Sequence, residues 1–152
     1  MQHDVDSTRK PRDRPETSEA VVAPAKEARS FGNMMEEAYG FSQAVRVGDT
    51  IYVSGQTAMG DDFRAVGGDD MAAQMREAYA GVARVLAMYG AGMDNVVDEV
   101  LFVTDTMAAA TCAKAVRGEV YGESFEVAST LIGVAALGSP DLMIEIKCVA
   151  RV

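Results

Sequence analysis

Apolar and polar residues alternate through Gln43-Ala-Val-Arg-Val47, break at Gly48-Asp49, and resume in Ile51-Tyr-Val-Ser54. Two β-rich runs around a turn dipeptide predict a hairpin, with Gly55 and Gly60 ending the unit in a loop. The period then changes. Met71, Met75, Ala78, Val82, Val85, Leu86 and Tyr89 recur at helical spacing, which predicts an amphipathic helix over 70–89 with that stripe in the core. Asp69 or Asp70 is placed to cap its start, and Gly90 its end. Val100-Leu-Phe-Val103 is unbroken apolar sequence, as in a central strand covered on both faces or a strand at an interface. The Ala-rich stretch 107–120, with Met107, Val116 and Val120, predicts a second helix. Residues 129–135 predict a further strand and Ser139-Pro140 a turn. Leu142, Ile144, Ile146 and Cys148 then alternate with Met143, Glu145, Lys147 and Val149, the clearest strand of the chain.

This succession of two strands, helix, strand, helix and two strands predicts an α+β domain. Two helices covering one face of a sheet leave the other face open. With Leu131, Val103 and Met143 expected there, that face is too apolar to stay wet, so the pattern predicts a homo-oligomer.

A chain of 152 residues makes one domain. Residues 1–28 carry three of the four prolines and few large apolar residues; they are expected to be a disordered N-terminal extension, with the domain at 29–152. The net charge is −9, yet residues 1–30 hold six basic and six acidic side chains, so the excess belongs to the body. An acidic body repels phosphate backbones, which argues against nucleic acid as a partner. The basic run Arg9, Lys10, Arg12 and Arg14 is interrupted by Asp13 and followed by Glu16, a solvated tail. No apolar run reaches the roughly 18–20 residues needed to cross a bilayer. The N-terminus also lacks the basic and apolar regions of a secretory signal, so no membrane association and a cytoplasmic location are expected. Cys112 and Cys148 are then most simply reduced. The single histidine, His3, rules out a His-based triad or zinc site in the body, and no metal is expected.

Several stretches, in one continuous order over about residues 40–152, resemble the RidA (YjgF) family. They are Tyr39-Gly-Phe-Ser-Gln-Ala-Val-Arg-Val-Gly-Asp-Thr-Ile-Tyr-Val-Ser-Gly-Gln56, Met71-Ala-Ala-Gln-Met-Arg-Glu-Ala-Tyr79, Gly92-Met-Asp-Asn-Val-Val97, Phe102-Val-Thr-Asp105, Gly133-Val-Ala-Ala-Leu137 and Ile144-Glu-Ile146. The resemblance implies a chorismate-mutase-like fold, with a six-stranded mixed sheet and two helices on one face. It also implies a homotrimer that holds small-molecule substrates in intersubunit clefts, and hydrolysis of reactive enamines and imines to a keto acid and ammonia without cofactor.

The resemblance also carries site residues. The family's carboxylate-gripping arginine falls at Ser129, so one neutral hydroxyl stands where a guanidinium fork would sit. The other reading of Ser129 is a strand hydroxyl bonded to its neighbours. The family's final-strand glutamate, which helps to place water, matches Glu145. A carboxylate among Leu142, Ile144 and Ile146 needs a partner, and Lys147 two residues on would make a structural ion pair the alternative. Phe41 stands where relatives have tyrosine. Ser54 and Gly55 are where relatives expose backbone to ligand, although Gly55 also suits a turn. Thr130 and Leu131 are further candidate substrate contacts, with alternation turning Thr130 to the face opposite Ser129. Ala113 falls where relatives carry an asparagine, and Lys114 and Arg117 nearby are either a displaced positive charge or solvated helix residues. Cys112, with no histidine beside it, is a packing residue.

Two functions remain open at this point. One is an enzyme acting on an enamine, imine or related unsaturated metabolite, by hydrolysis or tautomerisation, with specificity altered at Ser129. The alternative is a non-catalytic trimeric module that binds a metabolite or protein. A ribonuclease is disfavoured by the acidic body.

Overall fold

Glu27–Arg29 form a short edge strand, β1, which pairs antiparallel with β2 (Ala44–Val47). The Tyr89 hydroxyl lies between the Glu27 and Ala44 carbonyls, at 3.0 and 2.9 Å, and ties this edge to the body. The structure, a computed structural model, describes residues 23–60 and 62–152. Of the expected extension, residues 1–22 lie outside the described residues, while Glu27 and Ala28 belong to β1. The predicted hairpin joins β2 to β3 (Thr50–Thr57), and Gly48 takes the left-handed backbone that the reversal needs (φ 60°). β3 does not end at Gly55, as the sequence suggested. It runs on to Thr57 through a register shift between Val53 and Gln56, a bulge that places Gly55 beside the final strand.

Between β1 and β2 lies α1 (Met34–Tyr39), a helix that the apolar pattern does not reveal. Asn33 caps it, and Glu36 returns the bond to the Asn33 N–H in a capping box. The long helices are α2 (Met71–Ala87) and α3 (Thr106–Tyr121), capped by Asp70 and Asp105. Strands β4 (Val96–Val103), β5 (Ala128–Gly133) and β6 (Ile144–Arg151) complete a six-stranded sheet of order β1-β2-β3-β6-β4-β5. β4 and β5 run parallel and every other pair is antiparallel, so the sheet is mixed.

One face of the sheet carries α2 and α3. Ile51, Val53, Leu101, Val103, Ile144 and Ile146 from the strands meet Met75, Val82, Val85, Leu86 and Val116 from the helices in one core. The opposite face is open and apolar in patches, with Tyr52 and Ile132 exposed and Val100, Phe102 and Val149 half-buried. The residues first assigned to that face are not the ones on it. Val103 is buried under the helices, Met143 packs partly against the core, and Leu131 pairs with the buried Leu101 on the helix-bearing side. A one-residue difference in register exchanges the faces of a strand, and the continuously apolar stretches carry no alternation to fix it. Among the described residues no helix is long and apolar enough to cross a membrane.

Candidate functional site

Alternation along β6 places Ile144, Ile146 and Cys148 in the core and turns Glu145 to the open face, beside Thr57 of β3. The Glu145 side chain lies over Gly55. A Cβ on Gly55 would fall 1.8 Å from the Glu145 Oε1, so only glycine leaves room for the carboxylate in this position. Glu145 borders a cavity of about 650 Å³. Phe31, Phe41 and Phe63 give it aromatic walls, and among the described residues Glu145 is its only acidic lining residue and Arg84 of α2 its only basic one. Burial raises the Glu145 pKa, with no hydrogen bond or ion pair among the described residues acting against it. Lys147 is exposed and makes no salt bridge with Glu145 among the described residues, so the structural ion pair is not formed. This carboxylate keeps its proton above the ordinary carboxylate range and faces open volume, which suits proton transfer.

A polar relay fixes the wall carrying Phe31 and Phe41. The buried Glu36 carboxylate accepts the Phe31, Gly32 and Asn33 N–H groups at 2.8, 2.6 and 3.1 Å, and the Gln43 amide at 2.8 Å. Burial pushes its pKa up, but these four donors outweigh burial and hold it below the usual range. The Gln43 oxygen accepts in turn from Gln56 at 2.8 Å. The relay therefore links the segment around α1 to β2 and to β3 behind the cavity.

Ser129 lies elsewhere. β4 separates β5 from β6, and Ser129 pairs in register with Glu99, a fully buried residue of the helix-bearing face. Ser129 and Glu145 therefore stand on opposite faces of the sheet, and one chain does not bring them together. Ser129 instead borders a second cavity of about 540 Å³ with Lys114, Arg117 and Phe125. Thr130 is on the open face, as Glu145 is, and Leu131 is on the other. Ser54 does not line the Glu145 cavity: its hydroxyl donates to the Ser42 carbonyl at 2.7 Å and secures the bulge. Phe41 and Gly55 do line it.

Arg117 is not a solvated helix residue. Its Nη2 bonds the Glu99 carboxylate, which also accepts the hydroxyls of Tyr79 (3.0 Å) and Tyr121 (2.7 Å). Burial raises the pKa of both tyrosines, and the Glu99 charge raises it further. Burial opposes the Arg117 charge, but Glu99 more than compensates and raises its pKa. The Arg117 Nε is buried without a partner among the described residues, and Arg117 lines the Ser129 cavity. The sequence did carry a signal for this network, because Glu99 sits two residues before Leu101 and four before Val103 on one strand face. Arg84 had no such signal, since its place on the cavity depends on how α2 packs against β3.

A sequence model of the family described as Endoribonuclease L-PSP matches residues 31–152. The RutC family protein YjgH of Escherichia coli K12 is 30% identical over 112 residues, 74% of this chain and 82% of that protein. The crystal structure of Rv2704 from Mycobacterium tuberculosis, a member of the YjgF/YER057c/UK114 family, superposes with a TM-score of 0.72. It is 31% identical and covers 84% of this chain and all of its own. The chain belongs to the RidA/YjgF family. RidA from an Antarctic Psychrobacter shares the fold at 23% identity and a TM-score of 0.67, with 82% of this chain and 94% of that one covered.

Proposed function

We propose that this RidA/YjgF chain is an enamine or imine hydrolase whose Glu145 handles water and protons. The observation that carries this reading is the Glu145 carboxylate: unpaired among the described residues, with its pKa raised by burial, seated on Gly55 and facing a cavity with aromatic walls. In the proposed reaction water adds to the carbon of a C=N bond while its proton passes by way of Glu145 to the nitrogen. The C–N bond of the resulting carbinolamine then breaks, and a ketone and ammonia leave. The protein supplies position and proton transfer, and no cofactor is required.

The proposed assembly is a homotrimer. In one chain Ser129 and Glu145 lie on opposite sheet faces, so a substrate touches both only where one copy's β5 and α3 meet another copy's Glu145 cavity. The exposed Tyr52 and Ile132 on the open face give that association apolar area to cover. Ser129 would then offer the substrate one hydroxyl where relatives are expected to offer a guanidinium.

The test generates the imine of leucine in situ with an amino-acid oxidase and traps what survives with semicarbazide. The expected result is a semicarbazone yield that falls as wild-type protein is added. A yield unaffected by the protein sinks the hydrolase reading and favours a binding module.

A further inference from the structure

The body that carries the cavity is strongly acidic, so a substrate anion meets a repulsive field unless a cation is built into the site. The cavity holds one. Among the described residues Arg84 is its only basic lining residue, and it projects from α2 one turn beyond Gly81. Gly81 is bare where a side chain would otherwise stand. A Cβ there would lie 3.1 Å from the Gln56 Oε1 and 3.6 Å from the Arg84 Nη2. The missing side chain gives Gln56 room against α2, with the Arg84 guanidinium at ordinary contact distance from the same position, and Gln56 itself lines the cavity.

The guanidinium is held but not consumed. Its Nη1 and Nη2 share a single oxygen of Glu77, each at 3.1 Å, and both side chains reach solvent. An exposed pair of this geometry contributes little and is readily exchanged. A substrate carboxylate offers two oxygens to the same fork, a stronger arrangement. Arg117 is different, because its charge is engaged by the buried Glu99.

From this arrangement we infer that Arg84 is the specificity-determining residue that binds the carboxylate of the substrate, taking the part for which Ser129 lacks a charge. The substrate class is then a small carboxylate with an apolar tail. Its anion lies at Arg84, its tail lies among Phe31, Phe41 and Phe63, and its reacting carbon faces Glu145. The inference rests on the proposed hydrolase reading for the identity of the reacting group. It stands apart from that reading in what it says of the anion.

The experiment measures equilibrium binding, without turnover, to the full-length protein by titration calorimetry. The probes are 4-methyl-2-oxopentanoate and its neutral counterpart 4-methylpentan-2-one. Wild type is expected to bind the oxo acid at millimolar concentration or below. Arg84→Ala is expected to weaken the oxo acid by roughly tenfold or more, the loss of one charge-assisted contact. The neutral ketone should change less than about twofold, and Arg84→Lys should restore part of the affinity, because it keeps the charge without the fork. Equal weakening of acid and ketone would show a merely structural role and overturn the inference. So would unchanged affinity in Arg84→Ala, a larger loss in Lys114→Ala, or no oxo-acid binding by wild type. Glu145→Gln, assayed for imine turnover by semicarbazide trapping alongside the titration, separates the two claims. If it leaves imine turnover intact while Arg84→Ala loses the oxo acid, the catalytic reading fails and the anion site stands.

Discussion

Replacing Gly55 with alanine probes the seat of Glu145 with a single methyl group. Gly55 does not require a left-handed backbone, so alanine introduces no backbone strain. The new Cβ would fall 1.8 Å from Oε1, 2.5 Å from Cδ and 2.8 Å from Cγ of Glu145. Ordinary contact requires the carboxylate to retreat by about 1.5 Å. It is the end of a flexible side chain bordering open volume, so it can swing away at small cost. The gain of about 0.5–1 kcal/mol from alanine over glycine in a strand offsets much of that cost, and stability should change by less than about 1 kcal/mol. Catalysis should suffer far more, because a misplacement of about 1 Å costs on the order of a hundredfold. The assay pairs urea unfolding with the rate of imine loss. A Gly55→Ala protein of near-normal stability and with at least half the wild-type rate would refute the claim that the seat of Glu145 matters. A stability loss of several kcal/mol would refute the claim that the side chain yields.

Other consequences follow from the same geometry. Burial raises the Glu145 pKa in the folded state, so the native state binds the extra proton between the unfolded and folded values, and stability falls as pH rises through that window. Glu145→Gln removes this penalty. Its melting temperature should exceed wild type by on the order of 1–3 °C at pH 7 and match it near pH 4; equal melting at both pH values would contradict the assigned burial. Glu99→Ala leaves Arg117, Tyr79 and Tyr121 without their shared partner and should cost about 3–5 kcal/mol in urea unfolding, whereas Tyr121→Phe should cost only about 1 kcal/mol. The open face predicts association: analytical ultracentrifugation should give a trimer, and a monomer at micromolar concentration would contradict it. Phe102→Glu, at a half-buried position on that face, should shift the population toward monomer.

Much of the fold is legible in the sequence, because periodicity carries it. α2 and β6 follow from spacing alone: β6 buries its alternating apolar residues, and α2 buries the apolar stripe from Met71 to Leu86 together with Gln74, Tyr79 and Gly81. β1 and α1 are not legible in that way. β1 has three exposed residues and no apolar face, and α1 exposes Met34 and Tyr39 while burying Glu36. For α1 the signal was the capping pair Asn33 and Glu36, a local polar pattern and not a hydrophobic one. The site divides similarly. Glu145, Gly55 and Phe41 meet at one cavity, and each was named from resemblance in sequence order. Ser129 falls on the opposite face because its register pairs it with the buried Glu99, and it is two strands away because β4 lies between β5 and β6, facts of pairing that adjacency along the chain does not encode. Arg84 depends on helix packing across the sheet margin, and Lys147 failed as a partner because its side chain extends to solvent.

The most direct measurement compares wild type with Glu145→Gln in one imine-trapping series at pH 7, with equal protein concentrations and folding checked by circular dichroism. The account predicts that wild type lowers the semicarbazone yield and that the glutamine variant, folded and assembled alike, lowers it at least a hundredfold more slowly. A glutamine variant as active as wild type would contradict the assignment of the chemistry to Glu145.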